Sequence, residues 1–288
     1  MAHRPFLFSL HPRWAWSVFD GNKTLEVRKR FLAGAAFPAL AAVHRTGPGG
    51  GVVGIVRATG VARVDRAALE GPLSAKTQVP PDMLARYLGA QDDAAVVSLA
   101  RPQRFLEPLS LDDLRALGHT PPQLATFLSP RAWDALASRP VRSPYGPVWA
   151  FATLDPRSIS LEHQLLERPR ALYAPAFDAW WGKVQDEARP CWTVEVDGAP
   201  AALAVVKRTG PGQAQLCLFH SLAHGQGLGT FLLDRLIATL RLDGVGTLTG
   251  EVLASEKATQ AWFSRQGFDL TDGPTLPTGH RGLHLSLR

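Results

Sequence analysis

His224-Gly225-Gln226-Gly227-Leu228-Gly229-Thr230 stands between an apolar run, Gln215 to Leu222, and an apolar helical pattern, Phe231 to Leu240. The order reads as strand, glycine turn, helix start. Glycines at alternate positions keep side-chain bulk away from a row of backbone N–H groups. The first N–H groups of a helix have no partner inside it, and the helix dipole adds positive charge there. Such a turn suits a phosphate or pyrophosphate. The stretch therefore points to a phosphorylated cofactor and favours an enzyme over a scaffold.

Outward from the loop, Cys191 to Val196 and Ala201 to Lys207 are strands joined through Asp197-Gly198, a strong hairpin signal. Leu232, Leu233, Leu236, Ile237 and Leu240 fall at helical spacing after the loop. Gly246 to Leu253 reads as a strand, Ser255 to Gln266 as a helix stopped by Gly267, and Leu283 to Leu287 as the last strand. Ile159 to Val184 reads as helical throughout. In the N-terminal half, Pro5 to Leu10, Thr24 to Arg30, Ala39 to His44, Gly51 to Val64 and Ala94 to Leu99 read as strands. Arg13 to Asp20, Pro81 to Leu88, Leu111 to Leu117 and Leu124 to Phe127 read as helices. Ala137 to Val148, rich in Pro, Ser and Arg, is the linker candidate.

A chain of 288 residues suggests two domains, and the pattern places them at 1–154 and 155–288. The fold class is α+β: a small mixed β-barrel with helices, then a mixed central sheet flanked by helices. No apolar run reaches the ~18 residues of a membrane span. Two cysteines, Cys191 and Cys217, make neither a disulfide framework nor a zinc pattern. No metal site, no membrane partner and a cytoplasmic location are expected. The net charge of +6 is uneven. Residues 1–154 carry 18 Lys and Arg against 11 Asp and Glu, and residues 155–288 carry 13 against 14. A basic N-terminal half suggests a polyanion partner.

The loop resembles the pyrophosphate loop of the GNAT superfamily of N-acetyltransferases, Arg/Gln-x-x-Gly-x-Gly/Ala between a strand and a helix. Ala261 to Phe268 (AWFSRQGF) is similar to that family's fourth-helix signature ending in Gly-Phe. The resemblance implies acetyl-CoA, held by His224, Gly225, Gln226, Gly227, Leu228, Gly229 and Thr230, with the strand around Leu218 and Phe219 along the pantetheine arm. It implies that the strands beside the loop splay and that the thioester lies in the gap. Glu251 and His220 are the candidate bases. His224 replaces the usual Arg or Gln, Phe263 replaces a Tyr that protonates the leaving thiolate in many members, and Glu256 replaces a frequent Asn. Cys217 reads as packing. Trp180 and Trp181 stand in the region that lines the family's acceptor site.

Phe8 to Pro12 with Gly21-Asn22-Lys23-Thr24-Leu25-Glu26-Val27-Arg28 resembles the ASCH domain, a relative of the PUA RNA-binding fold, over residues 5–128. The resemblance implies RNA or nucleoside recognition by Lys23, Thr24, Glu26 and Arg28. Trp14 and Trp16 lie nearby in sequence and are able to stack on bases. Some small ASCH proteins hydrolyse N4-acetylcytidine with a Lys, a Thr and a distant Glu. Lys23 and Thr24 match the first two, and Asp65 or Glu70 is a poor match for the third. The expected function is an acetyl-CoA-dependent N-acetyltransferase, its acceptor amine unnamed, with an RNA- or nucleoside-recognising ASCH domain. The alternative is an RNA-binding regulator whose GNAT domain senses acetyl-CoA with little turnover.

Overall fold

The computed structural model describes residues 4–144, 146–272 and 279–287. It divides into two compact units, Met1–Gly146 and Pro147–Arg288.

The first unit runs β1 (Phe6–Leu10), α1 (Pro12–Phe19), β2 (Leu25–Arg28), β3 (Ala39–Arg45) and β4 (Gly51–Asp65). After these come α2 (Arg66–Glu70), α3 (Ser74–Thr77), α4 (Pro81–Leu88) and β5 (Asp93–Ser110). Then α5 (Leu111–Ala116), β6 (Ala125–Phe127), α6 (Pro130–Ala137) and β7 (Val141–Arg142) complete the unit. Its strands pair in the order β7-β5-β4-β3-β1-β6, with β2 on β5. Only β1 and β3 run parallel. Three register shifts interrupt the long β4/β5 ladder, and bulges of this kind bend and twist a sheet. Phe6, Phe8, Ala15, Val18, Ala41, Val43, Val53 and Val56 fill the main core. Gly54 is required by close approach: a Cβ there would meet Gln103 O and the Phe19 ring at 2.4 and 2.6 Å.

Two expectations change here. Leu124 to Phe127 is not a helix; Ala125–Phe127 pairs antiparallel with β1. A short apolar run has no periodicity that separates helix from strand. The linker candidate contains β7, which pairs at Val141 with Phe105.

The second unit runs β8 (Val148–Leu154), α7 (Gln164–Tyr173), α8 (Ala176–Asp186), β9 (Cys191–Val196), β10 (Ala199–Gly210) and β11 (Gln213–Ser221). Then follow α9 (Leu228–Leu242), β12 (Thr247–Leu253), α10 (Lys257–Arg265), β13 (Asp269–Thr271) and β14 (His280–Ser286). The strand order is β8-β9-β10-β11-β12-β14-β13. Only β11 and β12 are parallel. A parallel connection needs a crossover, and α9 supplies it. That helix is buried along most of its length, Asp234 and Arg235 included, as a packed crossover must be. Trp149–Leu154 of β8 pairs with β9, and the compact split falls between Gly146 and Pro147. The single helical run expected over Ile159 to Val184 is two helices broken at Ala174-Pro175, because proline offers no N–H and disfavours helix in the residue before it. Trp181 is wholly buried with Phe177, Leu165, Leu166 and Val184, whereas Trp180 is only partly buried.

Candidate functional site

The parallel pair β11/β12 is joined only over part of its length. Gln213–Leu216 pairs with Thr247–Gly250, yet β11 continues to Ser221 and β12 to Leu253. Beyond Leu216 and Gly250 the strands part. On the other side of β11, Leu218 faces Val205 and Leu216 faces Val206, so Cys217 has no partner in that register. A bulge of this kind leaves its extra residue out of the ladder. The gap between β11 and β12 is therefore lined by backbone that the sheet does not fully use.

At the mouth of the gap the loop turns into α9. Gly227 is the N-cap, with φ 85° and ψ −1°, and its carbonyl accepts from Phe231 N at 2.9 Å. Only glycine holds that left-handed conformation without a steric cost. A cavity of about 520 Å³ extends from this turn along β11 to β12. Leu218, Phe219, His220, His224, Gly225, Gly227, Gly229, Thr230 and Glu251 all line it. Gln226 and Leu228 belong to the same turn but do not line the cavity; Leu228 is buried.

The structure adds Arg168 of α7 to this set. Its Nη1 faces His224 Nε2 at 3.4 Å and its Nη2 pairs with Glu256 Oε2 at 2.9 Å. A guanidinium thus stands beside His224 at the mouth of the cavity. Glu256, at the N-terminus of α10, also accepts from Thr259 Oγ1 at 3.4 Å. Phe263 is buried in an aromatic cluster, 5.8 Å from Phe219, 4.8 Å from Trp262 and 5.1 Å from Phe268 between ring centroids. It carries no proton to give.

Tyr173, at the end of α7, was not legible as a site residue. It lines this cavity and a second one of about 390 Å³. Burial, and then the charges of Glu256 and Glu251, push its phenol up, so the group is protonated at neutral pH. The two cavities share Tyr173, Leu216, Cys217, Leu218 and Glu251. They meet where the two strands part.

His220 is half-buried, and burial first, then His224 and Arg168, bring its pKa down to about 4. An imidazole with so little affinity for protons is a poor match for an ammonium proton near pH 7. Glu251 is exposed at the shared rim. Below its ordinary 6.5 the unfolded chain takes up a proton at His220 before the folded chain does. Stability from this residue is therefore complete above about pH 6.5 and falls as pH drops toward about 4. His220→Gln is expected to flatten the pH dependence of the melting temperature across that window. An unchanged slope would remove the assignment. Burial raises both thiols, Cys191 to about 12. Cys217 is thus a thiol, not a thiolate, at the junction of the cavities.

The N-terminal candidates are brought together, but inward. Lys23 is 1% exposed; its Nζ donates to Leu25 O and Thr77 O and lies 3.1 Å from Glu26 Oε2. Arg28 Nε pairs with Glu26 Oε1 at 2.8 Å, and its Nη groups donate to Ser9 O and Gln123 O. Glu26 and Arg28 are both buried. The RNA- or nucleoside-recognition role that the resemblance implies for Lys23 meets an ammonium whose donors are held by the fold. Thr24 is exposed. Cation–aromatic contacts lie elsewhere: the exposed Arg104 sits 4.3 Å and the half-buried Arg45 5.7 Å from the centre of the half-buried Trp16 ring. Among the described residues, no helix is long and apolar enough to cross a membrane.

Residues 157–268 match the acetyltransferase (GNAT) family model, so the second unit carries a GNAT domain. GNAT acetyltransferases use acetyl-CoA, and the loop, bulge and cavity fit that group. Among solved structures the chain is similar to ASCH from Zymomonas mobilis, at 24% identity over 47% of this chain and 95% of that one, with a TM-score of 0.45. It is also similar to an N-acetyltransferase from Staphylococcus aureus Mu50, at 16% identity over 49% of this chain and 99% of that one, TM-score 0.38. A third, yncA of Salmonella typhimurium solved with its cofactor acetyl-CoA, is 18% identical over 49% of this chain and 94% of that one, TM-score 0.38. No curated protein gives a significant match.

Proposed function

We propose that the chain is an N-acetyltransferase whose N-terminal unit recognises RNA or a nucleoside. The observation that carries the transferase reading is the parting of β11 from β12 beyond Leu216 and Gly250, directly beside the glycine turn. Bound there, acetyl-CoA supplies an activated acyl group. The N–H groups at the start of α9 hold its pyrophosphate, with Arg168 adding a cation at the same mouth. The backbone freed at the Cys217 bulge faces the charge that develops on the reacting carbonyl oxygen. Glu251 takes the proton that the acceptor ammonium releases, and its amine nitrogen then accepts the acetyl group. The Tyr173 hydroxyl stands in for the missing donor at Phe263 and gives the departing sulfur its proton.

Polyanion recognition is assigned to the exposed Arg104 and the half-buried Arg45 beside Trp16 and not to the buried Lys23–Glu26–Arg28 set. The excess of basic residues in the N-terminal half supports this. A second reading has its own observation: Phe263 sits in a closed aromatic cluster, which favours a GNAT domain that binds acetyl-CoA and turns it over slowly.

Thiol release from acetyl-CoA, measured against a panel of amines, separates the two. Steady release with any of them supports the transferase. Tight acetyl-CoA binding with no release from any amine supports the sensor. RNA affinity should fall steeply between low and moderate salt and weaken in Arg104→Ala. Flat salt dependence, or no RNA binding, would remove the nucleic-acid assignment.

A further inference from the structure

The second cavity shares the strand junction with the first but is not lined by the glycine turn, and its walls are chemically sorted. Phe177 and Trp180 of α8 form an aromatic side with Tyr173. Tyr173 stacks on His280 at 6.3 Å between ring centroids, with planes 20° apart. Phe177 and Trp180 lie 5.4 Å apart. Such a wall receives a flat ring.

Two cations, Arg189 and Lys207, line the same cavity. Glu187 takes the Nε side of Arg189 at 2.7 Å, and Lys207 is exposed on β10. The one carboxylate in the lining is Glu251, at the rim shared with the cofactor cavity. Between these walls, His280 Nδ1 is buried without a hydrogen-bond partner among the described residues. Cations at one part of the wall and a carboxylate at the reaction rim repel a polycationic acceptor from the first and draw an ammonium to the second.

We propose that this cavity takes the acceptor as an amine of a molecule that also carries a flat ring and an anionic group, carboxylate or phosphate. The ring lies against Trp180 and Tyr173, the anion meets Arg189 and Lys207, and the amine reaches Glu251 at the strand junction. This rests on the acetyl-transfer reading and names its substrate class. The acetyl carbon–sulfur bond breaks as the carbon–nitrogen bond forms; the acceptor ammonium gives one proton to Glu251, Tyr173 gives its proton to the departing sulfur, and the second proton leaving the nitrogen restores Tyr173.

The test uses the full chain with acetyl-CoA and matched acceptors: phenylalanine and tryptophan against their amides, cytidine 5′-monophosphate against cytidine, and spermidine as a polycation. The expected result is that at least one anionic ring-bearing amine exceeds its neutral partner about tenfold in kcat/KM, the size of one charge-assisted contact. The paired arms tell carboxylate from phosphate. Lys207→Gln should erase that ratio through KM, with kcat and the acetyl-CoA Kd held. Lys207 is exposed, so this variant should fold even if Arg189→Gln does not. Calorimetric titration of the preferred acceptor in the presence of CoA should show the same loss. Preference for spermidine or for the neutral partners, or a ratio that survives in Lys207→Gln, overturns the proposal while leaving acetyl transfer intact. Acetyl-CoA that fails to bind, or that releases no thiol with any amine, removes the transferase reading and the proposal with it.

Discussion

Gly227→Val is expected to weaken acetyl-CoA binding about 100-fold, as measured by calorimetry or equilibrium dialysis. The reason is backbone and not space. A Cβ at this position would meet nothing closer than Trp149 Cη2 at 3.7 Å, an ordinary contact. A side-chain-bearing residue at φ 85° nevertheless carries a cost of about 1–2 kcal/mol, and a β-branched one carries more. Relief of that strain turns the loop and moves the N–H groups that open α9. Each charge-assisted hydrogen bond lost adds about 1.5–3 kcal/mol. Together these reach about 3 kcal/mol, or about two powers of ten in Kd. Gly227→Asn, which tolerates the left-handed region better, should lose much less. Equal binding by wild type and the valine variant, with the fold intact by circular dichroism, would mean that the turn does not hold the pyrophosphate.

Lys23→Met is expected to destabilise the first unit by about 3–5 kcal/mol, because removing one partner leaves the other buried charges unanswered. Glu26 would keep Arg28 but lose its ammonium, and Thr77 O and Leu25 O would lose a donor. The melting transition of that unit should drop by about 10 °C or more. RNA affinity at a temperature where the variant is still folded should stay close to that of wild type. An unchanged melting temperature with lost RNA affinity would return Lys23 to the ligand-contact role that its place in the motif suggests.

Both expectations show where residues alone were informative. The glycine turn was legible because strand, glycines and helix are neighbours in sequence, and their chemistry is local. The strand pattern of the second half was legible for the same reason, through Asp197-Gly198 and the apolar periodicity of α9. Arg168 was not legible, since it reaches His224 from a helix more than fifty residues upstream. Tyr173 was hidden likewise, because nothing local marks a tyrosine that lines a gap between two later strands. Lys23, Glu26 and Arg28 were legible as a group but not in direction. Charges at strand spacing read as solvated or ligand-facing, and only the enclosing α3 and β2 backbone turns them into an internal network. The aromatic pair was undecided in sequence, and burial separates it: Trp181 is core, and Trp180 lines a cavity.

The meeting of the two cavities at Leu216, Cys217 and Leu218 bears on kinetic order. Donor and acceptor would occupy adjoining cavities at the same time. The Cys217 sulfur at their junction is held as a thiol by burial, so no covalent relay is set up there. Initial-velocity plots at several fixed concentrations of the second reactant should therefore intersect and not run parallel, and radiolabelled acetyl groups should leave no mark on protein incubated without an acceptor.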